Sequence, residues 1–247
     1  MSNENILSVR GLTRRFGGLL ALAGVDFDVA RGEVFGVIGP NGAGKTTLFS
    51  CLVGALAPSS GAVRFRGERI DGLSNHAIVA RGLVRTHQIV RPFKEMTVEE
   101  NVSIGEYFGS GNRRRADPDR RVAEILELTS LSRRAGVLAG TLTIGELKRL
   151  EIARARATEP EVLCLDEVMG GLNPAEIATA MSLIRSIRES GVTVLMIEHH
   201  VHAIVGVSDR IMVLNFGSKI AEGQPGEVMR HPEVVTAYLG IEIAETV

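Results

Sequence analysis

Residues 39–46 read G-P-N-G-A-G-K-T and satisfy the pattern G-x-x-x-x-G-K-[ST] at every fixed position. An apolar run, residues 33–38 (E-V-F-G-V-I), precedes them, and helical periodicity follows over residues 44–56. A strand that turns on glycines into a helix gathers consecutive backbone N–H groups around one point, where the helix adds the positive end of its dipole. A phosphate fits such a point. Lys45 is spaced to reach the outer phosphates of a nucleotide, and the Thr46 hydroxyl to ligate Mg²⁺. The competing reading is an ordinary glycine turn. With 28 glycines in the chain, a chance match is on the order of one in a hundred, and the strand-to-helix placement makes it rarer. Gly39, Pro40, Asn41, Gly42, Ala43, Gly44, Lys45, Thr46 and the adjoining Thr47 are therefore the candidate nucleotide-binding residues.

Two further apolar runs, residues 162–165 (V-L-C-L) and 192–197 (V-T-V-L-M-I), read as strands covered on both faces, and a helical pattern over 174–189 precedes the second. Strand, helix and strand in this order specify an α/β fold with a mainly parallel, doubly wound sheet. Residues 6–10, 24–29 and 61–66 alternate in strand fashion, which adds a smaller antiparallel layer. Between residues 92 and 158 the strand signal vanishes, and amphipathic patterns run through 97–107, 119–128 and 144–157, as expected of an inserted helical lobe. The expected organisation is a single domain: a nucleotide-binding core of residues 1–88 and 159–247, and a helical subdomain of residues 89–158. The basic run Arg113, Arg114 and Arg115, beside Gly109 and Gly111, reads as a solvated loop. Cys51 and Cys164 sit in apolar segments with no metal or redox spacing, so two buried thiols are expected.

Composition narrows the function. The formal charge is −1, with no global basic field of the kind that concentrates nucleic acid. The longest apolar stretches fall far short of the ~20 residues a membrane helix needs. The opening M-S-N-E-N-I-L has neither the basic nor the apolar region of an export signal, so a cytosolic location is expected.

The strand over 162–165 ends in two acids, Asp166 and Glu167, at the sheet edge where open α/β folds bind ligands. Asp166 is placed to orient a Mg²⁺ shell, and Glu167, facing the other way, to polarise a water in line with a γ-phosphate. A helix cap is the alternative reading of the pair. Phosphate loop and acids together define a P-loop nucleotidase, a class that spans kinases, GTPases, helicases and transport ATPases.

The stretch L-T-I-G-E-L-K-R-L-E-I-A-R-A, residues 142–155, lies just before the acidic strand and resembles the signature helix of ABC ATPases. Gln88 in R-T-H-Q-I-V-R-P-F matches that family's Q-loop, G-L-N-P at 171–174 its D-loop, and His199 after V-L-M-I-E its switch histidine, in the family's order. The segment over 85–102 and the C-terminal Y-L-G, residues 238–240, look most like the ATP-binding subunit of branched-chain amino acid importers, a group that includes urea and amide importers. The resemblance implies a P-loop, RecA-like core. It implies ATP and Mg²⁺ as cofactors, with Glu167, His199 and Gln88 as catalytic groups and Thr46, Gln88 and Asp166 at the metal. Phe16 would stack on adenine; the alternative for Phe16 is a core residue. Thr143, Gly145 and Glu146 would close over the ATP of a second subunit in a head-to-tail dimer. Implied partners are transmembrane permease subunits, a second identical or related ATPase chain and, indirectly, a solute-binding protein, which places the chain on the inner face of the membrane. Residues 92–97 would help receive a helix of the permease.

Several positions depart from the family pattern. Thr143 stands for Ser, Ile144 for Gly, Glu146 for Gln, Val168 for the proline after the catalytic acid and His200 for Asp. Val168 removes a fixed φ beside Glu167 and adds a backbone donor. A His199–His200 metal site ranks below the switch role, because no third ligand is close in sequence. A lipopolysaccharide or lipid exporter is the near alternative. A soluble ABC ATPase of DNA or ribosomes is disfavoured by the single nucleotide site and the lack of a heptad run.

Overall fold

The computed structural model describes residues 4–86, 91–108 and 117–244. Gln88 and the arginine run at 113–115 lie outside the described residues.

Two sheets make up the core. The first is antiparallel, in the order β2-β1-β4-β5. It contains β1 (Asn5–Phe16), β2 (Leu19–Ala30), β4 (Ser60–Phe65) and β5 (Glu68–Arg69). The alternation at residues 6–10 and 24–29 covers only part of these strands; a register shift between Val9 and Leu12 carries β1 past Gly11 and on to Phe16.

The second sheet runs β10-β9-β3-β8-β7-β6. Its strands are β3 (Val34–Ile38), β6 (Leu83–Arg85), β7 (Val162–Asp166), β8 (Thr193–Ile197), β9 (Arg210–Asn215) and β10 (Ser218–Gly223). All pairings are parallel except β10 with β9. Every residue of β3, β7 and β8 is buried, which is why the three runs carry no alternation. Hydrophobic residues of this sheet pack on one side with the antiparallel sheet and α1 (Lys45–Leu52), and on the other with α6 (Pro174–Glu189) and α7 (Val201–Val207).

The helix after the phosphate loop ends four residues earlier than its periodicity suggests, because Gly54 takes φ 68 and leaves the helical region. The α6 bounds match the sequence pattern. Asn173 and Glu176 form a reciprocal cap at its start, with Pro174 in the first turn. A short α2 (Asn75–Val79) precedes β6, and α8 (Pro225–Val228) and α9 (Pro232–Ala244) complete the chain after β10. No element was legible in the sequence beyond residue 200.

The lobe consists of α3 (Val98–Phe108), α4 (Pro118–Leu128) and α5 (Ile144–Ala157) around its own apolar cluster. Leu150, Ala153 and Ala157 of α5 face that cluster, whereas Ile152 and Ala155 face the main sheet's cluster. The i, i+3 and i+4 spacings place these on two faces, so α5 is shared by lobe and core. Cys51 and Cys164 are buried free thiols, as expected.

Candidate active site

The strand order brings three strand ends together. β8 lies between β3 and β7, with Ile197 level with Val37 and Asp166 in register. The phosphate loop after β3, Glu167 after β7 and Glu198–His199 after β8 therefore share one sheet edge.

Gly39 and Gly44 are fixed by space as well as by backbone. Gly39 has φ 149, and a Cβ there would lie 2.1 Å from the Leu214 carbonyl oxygen; Gly44 has φ 102, with the Ala21 carbonyl oxygen at 2.5 Å. The Lys45 side chain, 5% exposed, folds back over the loop and donates from Nζ to the Gly39 (2.6 Å) and Pro40 (2.9 Å) carbonyls. An ammonium has three donors, so one remains for a ligand. Burial pushes Lys45 below its ordinary value, and the Glu167 and Asp166 carboxylates pull it back up.

Phe16, Asn41, Gly42, Ala43, Gly44, Lys45, Thr46, Thr47, Glu167 and His199 line one cavity of about 370 Å³. Ten nominated residues, from four stretches of chain, thus converge. Phe16 is 41% exposed at the end of β1, and the Arg14 guanidinium lies 4.6 Å from its ring centroid. The ring is at the cavity mouth and not in the core. Gly39 and Pro40 line a larger neighbouring cavity of about 930 Å³ beneath α9, which shares Asn41, Ala43, His199 and Phe216 with the first. The smaller cavity is the nucleotide candidate, because it alone contains Lys45, Thr46 and Glu167.

Asp166 is 1% exposed. Its Oδ2 accepts from Arg85 Nη2 at 2.5 Å, whereas its Oδ1 is buried and has no hydrogen-bond partner among the described residues. Such an atom fits a cation ligand, since an unpaired buried carboxylate oxygen is otherwise costly. Glu167 sits just past β7 at φ 50, and its Oε1 is 2.8 Å from His199 Nε2. The sequence motifs thus identify two side chains in contact. Among the described residues no set of three His, Cys, Asp or Glu groups converges on a metal site, including at His199 and His200.

Thr143, Gly145 and Glu146 do not line the nucleotide cavity. They begin α5 with a capping box: Thr143 Oγ1 accepts the Glu146 N–H, and Glu146 Oε2 accepts the Thr143 N–H at 2.9 Å. Glu146 Oε1 also accepts from Arg134 at 2.7 Å, so this carboxylate is committed within its own subunit; the Thr143 N–H and Arg134 hold it below the usual carboxylate range. The Thr143 hydroxyl proton is left for an outside acceptor. A Cβ at Gly145 would lie 2.5 Å from Glu176 Oε1, so a larger residue there would have to displace the end of that glutamate side chain.

Three residues at the site carry no local sequence signal. Arg85 pairs with Asp166 across 81 positions, Lys148 donates to the Glu167 carbonyl at 2.6 Å, and Glu198 accepts the Met169 N–H at 2.8 Å. Tyr238 of α9 takes the Gly39 N–H, and burial pushes its phenol up to about 12. Only its place in Y-L-G made it visible.

The known proteins agree with this architecture. The ABC transporter family profile matches residues 22–170, and one described as branched-chain amino acid ATP-binding cassette transporter matches residues 218–244. The high-affinity branched-chain amino acid transport ATP-binding protein BraF of Pseudomonas aeruginosa is 45% identical, over 95% of this chain and 98% of its own. The LivG protein of the same description from Escherichia coli is 41% identical, over 96% and 99%. A crystal structure of the ADP conformation of an ATP-binding cassette of an ABC transporter superposes with TM-score 0.85 at 32% identity, over 96% of this chain and 99% of that one. The phosphate loop, the acid pair and the histidine lie at one sheet edge, and family matches cover most of the length: the chain belongs to the ABC transporter ATP-binding family.

Proposed function

We propose that this chain hydrolyses ATP to drive import of a branched-chain amino acid or a related small solute through separate membrane-spanning subunits. The observation that carries the reading is the single cavity joining Phe16, the phosphate loop, Glu167 and His199. In it, Phe16 stacks on the adenine, the loop N–H groups and Lys45 hold the phosphates, and Glu167 orients the attacking water and takes its proton. His199, bonded to Glu167, comes from the neighbouring strand and faces the γ-phosphate. Bond making at phosphorus expels ADP, and Lys45 offsets the charge that develops on the leaving oxygens.

The residues present fit Mg²⁺: the Thr46 hydroxyl and the unpartnered Asp166 Oδ1 would hold it, with Gln88 as the further candidate. Bound there, the ion neutralises phosphate charge. Thr143 and Gly145 act on the nucleotide of a second ATPase subunit, a reading that their absence from the nucleotide cavity's lining supports. Among the described residues no helix is long and apolar enough to cross a membrane, so the work passes to a permease. The surface proposed to receive it is the stretch at residues 92–97, whose turn from Phe93 to Thr97 the buried Asn101 organises. Its side chain accepts the Phe93 N–H and donates to the Phe93 and Thr97 carbonyls. In this reading the ATPase sits on the cytoplasmic face through the permease, with residues 1–88 and 159–247 as nucleotide core and 89–158 as the helical subdomain.

The test is ATP turnover by the purified protein against Glu167→Gln, with size exclusion in ATP. The reading predicts slow wild-type hydrolysis, and a variant that stops hydrolysing and accumulates as a nucleotide-bound dimer. Equal turnover in the two proteins would overturn it.

A further inference from the structure

Glu167 holds a left-handed backbone, φ 50, which disfavours any residue with a Cβ, and the residue after it is Val168, whose φ is not locked by a ring. Something else must fix the turn that aims this carboxylate. Within the turn the backbone bonds are long, from the Gly170 N–H to the Glu167 carbonyl at 3.3 Å and from the Leu172 N–H to the Met169 carbonyl at 3.2 Å. The stronger restraints come from outside it. Lys148 Nζ donates to the same Glu167 carbonyl at 2.6 Å, and Glu198 Oε1 accepts the Met169 N–H at 2.8 Å. The Glu167 N–H donates to the Ile197 carbonyl at 3.0 Å, so the turn is tied to the end of β8 at two points. Val168 and Met169 are 3% and 0% exposed, which anchors the middle of the turn in the core.

The two tethers belong to different parts of the molecule. Lys148 lies on α5, one turn beyond Thr143 and Gly145, and α5 is the helix shared by lobe and core. Glu198 is the residue immediately before His199, whose Nε2 meets Glu167 Oε1 at 2.8 Å. Lys148 is a charged donor to a backbone carbonyl, the stronger class of hydrogen bond, and Glu198 takes a backbone N–H with a buried carboxyl oxygen. Glu198 is 2% exposed, and with Lys148 among the charges acting on its carboxylate the two tethers are electrostatically linked.

We propose that Lys148 and Glu198 are positioning residues for Glu167: they clamp the two ends of its turn, and Lys148 carries movement of the signature helix to the catalytic carboxylate. This rests on the reading of Glu167 given above. Neither side chain touches the nucleotide cavity, so their loss misplaces Glu167 and leaves ATP binding intact.

The experiment measures kcat, KM and the affinity for a fluorescent ATP analogue in the assembled transporter, for Lys148→Met, Lys148→Arg, Glu198→Ala, Glu198→Gln and Glu167→Gln. Lys148→Met and Glu198→Ala should each lower kcat at least tenfold with nucleotide affinity within about twofold of wild type. Lys148→Arg retains a donor and Glu198→Gln a carbonyl acceptor, so each should recover to within about threefold of wild type. Lys148→Met added to Glu167→Gln should produce no further loss. Lys148 is only partly buried, so its variants keep the test open should Glu198→Ala fail to fold. Unchanged kcat in Lys148→Met, a raised KM at constant kcat, or Gln at position 198 as damaging as Ala, would overturn the clamp while an inactive Glu167→Gln still supports the ATPase reading. Full turnover in Glu167→Gln would remove both.

Discussion

Asp166 and Glu198 are both buried carboxylates, but the fold compensates them differently. Asp166 has a guanidinium on one oxygen, held in turn by Ser50 and lying 5.7 Å from the Phe49 ring centroid. Glu198 has a backbone N–H and a lysine that bonds elsewhere. Burial pushes the Glu198 carboxyl up to about 7 and Glu167 adds to the rise, while the Met169 N–H and Lys148 oppose it. The ordinary value is 4.5, so between that pH and about 7 the folded chain binds more protons at this group than the unfolded chain. Its contribution to stability is then full below the ordinary value and lost as pH rises through the folded one. Glu198→Gln does not titrate, and its stability relative to wild type should rise by about 3 kcal/mol between pH 5 and pH 8 in urea melts. An unchanged difference would mean that Glu198 does not ionise in this window. At Gly44 the cost is steric. Gly44→Ala should lose about 2–4 kcal/mol, because φ 102 is unfavourable and the Ala21 carbonyl leaves no room; a melt within about 0.5 kcal/mol of wild type would contradict the packing described.

Among the elements, α5 shows why a departure from a family pattern can be locally consistent. A glutamate in place of glutamine at position 146 places negative charge in the first turn, where the helix dipole favours it, and completes a reciprocal cap with Thr143. Thr143→Ala removes that cap and should cost about 1 kcal/mol of stability. If the hydroxyl also donates to a nucleotide held by a second subunit, turnover of the assembled transporter should fall at least tenfold, more than the stability loss explains. Thr143→Ser should restore both. A variant that melts early but turns over normally would confine Thr143 to capping. The same residues explain what was legible here. A cap, a proline in the first turn and 3.6-residue spacing are local, so the ends of α5 and α6 could be read from the chain, whereas α1 was overextended because apolar spacing continued past Gly54.

For the whole molecule, the relevant geometry is that the nucleotide cavity and the turn at residues 93–97 are joined by α5. Phe93 is 47% exposed, with Arg154 of α5 5.1 Å from its ring centroid, and Arg154 also donates to the Arg91 carbonyl. An aromatic held out by a cation beside a turn that buried Asn101 fixes is a suitable surface for an apolar helix. Phe93→Glu should reduce co-purification with the permease subunits more than tenfold, with ATP-analogue affinity as the control. Normal recovery of the complex would move the docking surface elsewhere.

The sequence by itself determined the phosphate loop, the acid pair, the three buried strands and the three lobe helices, because each rests on residues a few positions apart whose spacing reflects one turn, one strand or one helix face. It also nominated His199 and Phe16, through the resemblance to family motifs, and both line the nucleotide cavity. Only the tertiary structure decided that β8 lies between β3 and β7, that Glu167 meets His199, and that Arg85, Lys148, Glu198 and Tyr238 serve the same edge. Those contacts join positions far apart in the chain, and they form when the apolar faces of separate elements pack, an outcome that periodicity along any one segment does not encode.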